Sequence, residues 1–317
     1  MRTTIESTPP PASMEPLRDA AESFAEYSMA GGTLGTALQA RLESVAGKAK
    51  LALGAVDFFW PSDELLAELA AAETPLAVKL DDGTIAAWAS KDGRKPEAAV
   101  ETALDDDSIL VRYPWDLLTV NERVVGALTR NDIQGEIAET AVVDGILALG
   151  KGSRILPGVY IEGNATIGEN CKIGPNCYIR GNTHIGDGCH VGQAVEIKNS
   201  ILMDNVSAGH LAYVGDSIAG PEVNFGAGTI TANLRHDGEN QKSKVEGELV
   251  DTGRRKLGCV FGRAVHTGIH TSVYPGRKMW SGTSTAPGEI VRTDLRPGNW
   301  DLGNLDRRSV EEPFPGK

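Results

Sequence analysis

The chain has 317 residues, a formal net charge of −12, and 37 glycines beside only 5% aromatic residues. The negative charge argues against a nucleic-acid-binding face, and no run of about 18 apolar residues is present to cross a membrane as a helix. The length allows two domains, and the glycine content suits short strands joined by tight turns.

The opening "MRTTIESTPPPASMEP", residues 1–16, lacks the apolar stretch of a signal peptide and is expected to be a disordered leader. Residues 17–130 are expected to form a small α/β domain. Helical composition runs through 17–45, in "LRDAAESFAEYSMA" and "ALQARLESVAG". Strands are expected in "KLALGAVDFFWP" and in "TPLAVKLDDGTIAAWAS", the second folded back at its DDG turn. Between them "SDELLAELAAAE" predicts a helix capped by Ser62, and a further helix is expected after Pro114. The Gly-rich "AGGTLGTALQ", residues 30–39, has no following Lys or Arg and no preceding strand, so it predicts a turn rather than a phosphate-binding loop.

From residue 131 to 295 a six-residue beat dominates. Ile155, Ile161, Ile167, Ile173, Ile179, Ile185, Val191 and Ile197 fall six apart, with smaller or β-branched residues such as Val159, Ala165, Cys171 and Cys177 four positions after each. A helix of period 3.6 cannot hold that spacing on one face, and a flat strand alternates every two residues. Short strands separated by Gly/Asn turns can hold it, which predicts a parallel β-helix of hexapeptide repeats. The fold class is therefore mostly β, with a small N-terminal α/β domain.

Four cysteines, Cys171, Cys177, Cys189 and Cys259, form no CxxC pair and are expected as small buried packing residues. The expected compartment is the cytoplasm.

The beat resumes at Ala219, Phe225 and Thr231, and again from Phe261 to Thr285. Between Ile197 and Ala219 it slips by four residues, and the slip is placed around His210. Residues 232–256 keep no beat and are expected to leave the solenoid as a loop of functional length. Residues 296–317 are expected to be an irregular tail.

The segment "VGQAVEIKNSILMDNVSAGHLAYVGDSIAGPEVNFGAGTITANLRHDG" resembles the acetyltransferase half of the bifunctional UDP-N-acetylglucosamine pyrophosphorylase/glucosamine-1-phosphate N-acetyltransferase family. "TANLRHDG" followed by "DTGRRKLG" is similar to the archaeal-type sugar-1-phosphate enzymes. The resemblance implies a left-handed β-helix, a homotrimer with active sites between subunits, and acetyl-CoA as co-substrate with no metal required. It implies an amino-sugar 1-phosphate as acceptor, either glucosamine- or galactosamine-1-phosphate.

Residue by residue, it implies phosphate contacts from Arg180 and Lys198, a catalytic base at His210, and sugar contacts from Tyr213 and Asn224. Asn233 corresponds to an asparagine near the acetyl group. Lys242 or Lys244 corresponds to a lysine after the loop. Ala227, with Gly226 and further on Gly268, corresponds to backbone that meets acetyl-CoA. A histidine, with its ordinary pKa near 6.5, suits the task of taking a proton from an amine at neutral pH. Arg180 and Lys198 stand three hexapeptides apart and so should stack on one face. Arg254, Arg255 and Lys256 are expected as a solvated or subunit-facing cluster that could also meet coenzyme A phosphates.

"YPWDLL" resembles the junction after that family's nucleotidyltransferase domain, which would make residues 17–130 a degenerate remnant. Its phosphate loop "LAAGxGxRM" is not reproduced in residues 1–130, so uridylyltransferase activity is not expected there. Two rival functions remain open. One is a non-catalytic scaffolding solenoid of a sugar-nucleotide pathway. The other is a γ-type zinc carbonic anhydrase, suggested by His184 and His190 six apart.

Overall fold

A computed structural model describes residues 3–297 of the chain. From Asp132 onward the chain winds as a parallel β-helix with three faces, carrying eight, six and eight strands. The first face runs from Asp132–Ile133 to Arg277–Met279, the second from Glu136–Ile137 to Asn224–Phe225, and the third from Val142–Asp144 to Ile290–Val291. Every ladder within these faces is parallel, with like residues stacked: Ile161 beside Ile179, Ile179 beside Ile197, Ile173 beside Val191. The aliphatic beat points inward and fills the prism, and the four cysteines are free and buried within it. The mostly β solenoid expected from the six-residue period is the fold observed.

The slip in the beat has a different location from the one expected. Val191 pairs with Ala208 and Ala208 with Phe225, each seventeen residues on, whereas earlier coils take eighteen. The missing residue is lost at the corner between the third and first faces. Ile197 is followed by an inward Leu202 five residues later, and Val214 by Ala219. Two corners, at Asn199 and at Asp216, are each one residue short. The coil step through His210 is regular, so the histidine is not the cause of the slip.

Those corners form a column. Gly145, Gly163, Gly181, Asn199 and Asp216 succeed one another there, all with positive φ, the last two at 47° and 49°. Asn and Asp tolerate this left-handed geometry better than other residues with side chains.

Residues 3–126 form a five-stranded sheet in the order Thr3–Glu6, Ala52–Val56, Ile85–Ser90, Leu76–Lys79 and Val100–Thr102, with three helices. Helix α1 is Leu34–Ala46, α2 Asp63–Ala71 and α3 Pro114–Gly126. The expected cap holds, since Ser62 Oγ accepts from Leu65 N at 3.0 Å. So does the expected antiparallel return at the DDG turn. The Gly-rich segment is a turn, with Gly31 at φ 84° and Thr33 capping α1.

Two expectations fail. Residues 3–16 are not a disordered leader: Thr3–Glu6 joins the sheet beside Leu53–Val56, and Met14 is fully buried. "LRDAAESFAEYSMA" is not a helix but two 3₁₀ turns and a short strand. Its apolar residues Leu17, Phe24, Tyr27 and Met29 are all buried, a spacing no single helical stripe accommodates. Of the expected tail 296–317, all but the first two residues lie outside the described residues.

The N-terminal sheet and helices cover the first face of the prism. Outward-facing Ile201, Met203, Ile218 and Val260 share one buried core with Trp115, Leu117 and Leu118. Each such aliphatic side chain contributes roughly 1.5–3 kcal/mol by leaving water.

His184, fully enclosed at this junction, is held by Gly31 N (3.1 Å) and Thr166 Oγ1 (2.9 Å) at Nδ1 and by Ser28 Oγ (3.2 Å) at Nε2. Burial pushes its pKa down to about 3. The unfolded chain therefore binds a proton that the folded protein refuses between about pH 6.5 and 3. Stability is full above that window and falls by up to about 1.4 kcal/mol per pH unit as the pH drops through it. Denaturant midpoints measured from pH 7 to 4 should fall less steeply in His184→Gln than in the unchanged protein. Equal slopes would show that His184 is not held neutral.

Candidate functional site

The third face carries a connected set of polar side chains. Register stacks Glu162, Arg180, Lys198 and Gly215 in one outward row, and Tyr160, Tyr178, Glu196 and Tyr213 in the next. Arg180 and Lys198 thus occupy successive rungs, as their spacing required. Arg180 Nε lies 2.7 Å from Glu196 Oε1, which raises the arginine's pKa, and its guanidinium sits 5.5 Å from the Tyr178 ring centroid.

Lys198 Nζ reaches Asp216 Oδ2 at 2.7 Å, with the carboxylate almost wholly buried. Asn233, where the chain leaves the solenoid, donates to the Tyr213 hydroxyl at 3.0 Å and to the same Asp216 oxygen. Burial first, then the negative charges of Asp216 and Glu196, raise the Tyr213 pKa. The phenol therefore stays protonated, and with Asn233 filling its acceptor side its own hydrogen is available to a ligand. Gly215 makes room for this arrangement, because a Cβ there would lie 2.4 Å from the Tyr213 oxygen. Lys198, Tyr213 and Asn233 are therefore brought together, with Arg180 beside them.

His210 ends the strand Ser207–His210 at the edge between the second and third faces, level with Gln193 of the preceding coil. It is exposed. The next residue, Leu211, is 59% exposed with φ 51°. An unencumbered imidazole at an edge can take a proton from a ligand lying across either face. Gly226, Ala227 and Gly268 continue the same edge: a Cβ on Gly226 would meet Gly268 backbone at 2.7 Å, and the Ala227 carbonyl accepts from His270 N at 2.7 Å.

Two expected residues lie apart. Asn224 is on the second face, beside Ser207 and His266. Lys242 begins the antiparallel hairpin Lys242–Val245/Glu248–Asp251, whose Val245 packs with the core over the first face. The extruded loop itself, with Leu234 bridged to Lys256 at its base, is where it was expected.

The basic triplet is only partly a solvated cluster. Arg254 pairs with Glu122 of α3 and is held by Thr119 Oγ1 at 3.1 Å. Arg255 and Lys256 line a cavity of about 390 Å³ with Asn199, Asp216 and Glu122.

The residue sequence reasoning missed is Asp216. Its signal was the corner column, where glycine gives way to asparagine and then to aspartate at the two short coils. For the zinc alternative, His184 has both ring nitrogens engaged at the junction and is not available as a ligand. Among the described residues, no three His, Cys, Asp or Glu side chains are grouped to hold a metal.

The three stacked parallel faces define a hexapeptide-repeat β-helix, and its third face carries the ion pairs Arg180–Glu196 and Lys198–Asp216. A family model described as the GMPPB C-terminal domain matches residues 155–275. The chain is 37% identical over 187 residues to the bifunctional sugar-1-phosphate nucleotidylyltransferase/acetyltransferase of Sulfurisphaera tokodaii, covering 59% of this chain and 47% of that protein. It is 44% identical over 190 residues to the bifunctional protein GlmU of Methanococcus maripaludis, covering 60% and 46%. The resemblance seen in the sequence motifs is thus found again in alignments of 187 and 190 residues, and the chain spans about half the length of the curated relatives it matches. The UDP-N-acetylglucosamine O-acyltransferase of Moraxella catarrhalis is 15% identical over 52% of this chain and 65% of its own, with a TM-score of 0.21. The fold assignment rests on the ladders, not on that superposition. Among the described residues, no helix is long and apolar enough to cross a membrane.

Proposed function

We propose that the protein transfers the acetyl group of acetyl-CoA to the amine of an amino-sugar 1-phosphate, supplying the N-acetyl sugar phosphate for nucleotide-sugar synthesis. The observation that carries this is the stacking of Arg180 and Lys198 on successive rungs, with the Tyr213 hydroxyl one rung further and His210 on the adjoining edge. Two cations one strand spacing apart suit a phosphate dianion, and a hydroxyl donor beside them suits a sugar oxygen. His210 takes the proton from the sugar ammonium. The freed amine attacks the thioester carbon, the C–N bond forms as the C–S bond breaks, and the proton that the new amide nitrogen gives up passes to the sulfur, so that coenzyme A leaves as its thiol. Backbone at Gly226, Ala227 and Gly268 lines the edge where the thioester would lie, and amide N–H groups there can meet the developing oxyanion.

Asn224 faces away from Tyr213, and the first face is already covered by residues 3–126. A site that uses both residues needs a second copy, whose second face meets this third face, in keeping with a homotrimer. A thiol-release assay with glucosamine- and galactosamine-1-phosphate tests the activity. Release with neither would defeat it and favour the scaffolding alternative. The shared site has its own test: mixing inactive His210→Ala with inactive Asn224→Ala subunits should restore turnover, because mixed oligomers contain intact sites. No recovery would place both residues in a site made by one chain.

A further inference from the structure

We propose that Asp216 is the positioning residue of this site and that Glu122, from helix α3, holds it from behind, so that the N-terminal half takes part in substrate binding. The inference rests on the reading of Lys198 and Tyr213 as substrate-binding groups.

Asp216 sits at the second short corner, almost fully buried, with φ 49°. One carboxylate oxygen takes Lys198 Nζ and Asn233 Nδ2, and the other takes Asn199 Nδ2 at 3.1 Å. Asn199 Nδ2 also donates to Glu122 Oε1 at 2.6 Å, and Arg254 Nη1 grips the other Glu122 oxygen at 3.2 Å. Each asparagine amide therefore divides its two hydrogens between two acceptors. Asn233 joins Asp216 to the Tyr213 hydroxyl, and Asn199 joins Asp216 to Glu122.

Every member has its orientation fixed by the next. The chain of contacts runs from a helix of the N-terminal half, through the corner column, to both substrate-facing side chains. Lys198 keeps two ammonium hydrogens for an incoming anion, and its four-carbon stem loses the freedom that would otherwise cost binding energy. Glycine at this corner, as in the earlier coils, would supply none of these contacts. Asn199 and Asp216 are stacked in the corner column, where Asp216 N donates to Lys198 O at 2.8 Å.

Asp216→Asn separates positioning from simple charge balance. It keeps the shape but turns an NH₂ group toward either Lys198 and Asn233 or Asn199, setting donor against donor. If Asp216 merely offset the lysine's charge, its removal would strengthen anion binding and lower the KM for the sugar phosphate. As a positioning residue, its loss raises that KM by about tenfold or more, the effect of a lost charge-assisted hydrogen bond, and leaves the KM for acetyl-CoA unchanged. Glu122→Gln, on the helix surface, should raise the same KM by about threefold with the fold intact, and it carries the test if Asp216→Asn does not fold.

A second measurement does not depend on turnover. The rate at which the Lys198 amine is reductively methylated, read by peptide mass spectrometry, should rise severalfold in Asp216→Asn and to a lesser extent in Glu122→Gln. An unchanged or lower KM for the sugar phosphate, or unchanged Lys198 labelling, overturns the proposal. If the unaltered protein shows no turnover, the proposed reaction fails, and the labelling alone decides whether Asp216 tethers Lys198.

Discussion

Replacing His210 with alanine is expected to lower the turnover of thiol release by roughly 10²–10⁴-fold, the usual loss when a general base is removed. The side chain stands exposed at the edge of two faces, and the backbone around it keeps a regular coil step. Truncation removes no buried contact, so the melting temperature should stay within about 2 °C of the parent. The KM values should change little, since in the proposed site Arg180, Lys198 and Tyr213 would hold the acceptor independently. An activity within a few-fold of the parent would move the base elsewhere.

The second large effect concerns stability and comes as a matched pair. Gly192 and Gly209 lie on the same edge in consecutive coils. A Cβ on Gly192 would sit 1.9 Å from the carbonyl oxygen of Gly209, whereas one on Gly209 would find nothing closer than His190 Cε1 at 3.8 Å. Relieving the first clash means separating two backbones that the ladder holds at about 4.8 Å, and no side chain can move aside to absorb it. Gly192→Ala should therefore destabilise by about 3 kcal/mol or more, lowering the melting temperature by roughly 5–10 °C. Gly209→Ala should be nearly neutral, because ordinary contact and a less flexible unfolded chain offset each other. Equal behaviour of the two variants would contradict the coil register at this edge.

The solenoid could be read in the sequence because its period is imposed by geometry. One inward residue per face recurs whatever the outward residues do, so Ile155 to Ile197 announce the prism directly. The covered first face was also written there, less visibly. Around Ile201–Met203, Ile218–Ala219 and Cys259–Phe261 adjacent residues are both apolar, as they must be when a strand is buried on both sides. The N-terminal residues were harder. Leu17, Phe24 and Tyr27 are buried through irregular turns whose spacing obeys no period, and Thr3–Glu6 becomes a strand only because a neighbour lies beside it.

At the site, Arg180 and Lys198 could be placed from arithmetic alone. Asp216 could not, because its meaning depends on losing one residue at each of two corners. The sequence shows only their combined effect, a slip that falls nearest in the chain to a conspicuous histidine. The choice between Lys242 and Lys244 stayed open for a related reason. A loop without periodicity gives no rule for which of its cations returns to the prism, and the one that reaches the corner network is Arg254.

The chemical identity of the product tests the proposed reaction most directly. Incubating the protein with acetyl-CoA and each amino-sugar 1-phosphate, followed by mass spectrometry with fragmentation, locates the added acetyl group. The account predicts one acetyl group on the sugar nitrogen of glucosamine- or galactosamine-1-phosphate, formed by the parent protein and not by His210→Ala. Acetylation at a hydroxyl, or an unmodified sugar in the presence of both substrates, would contradict it.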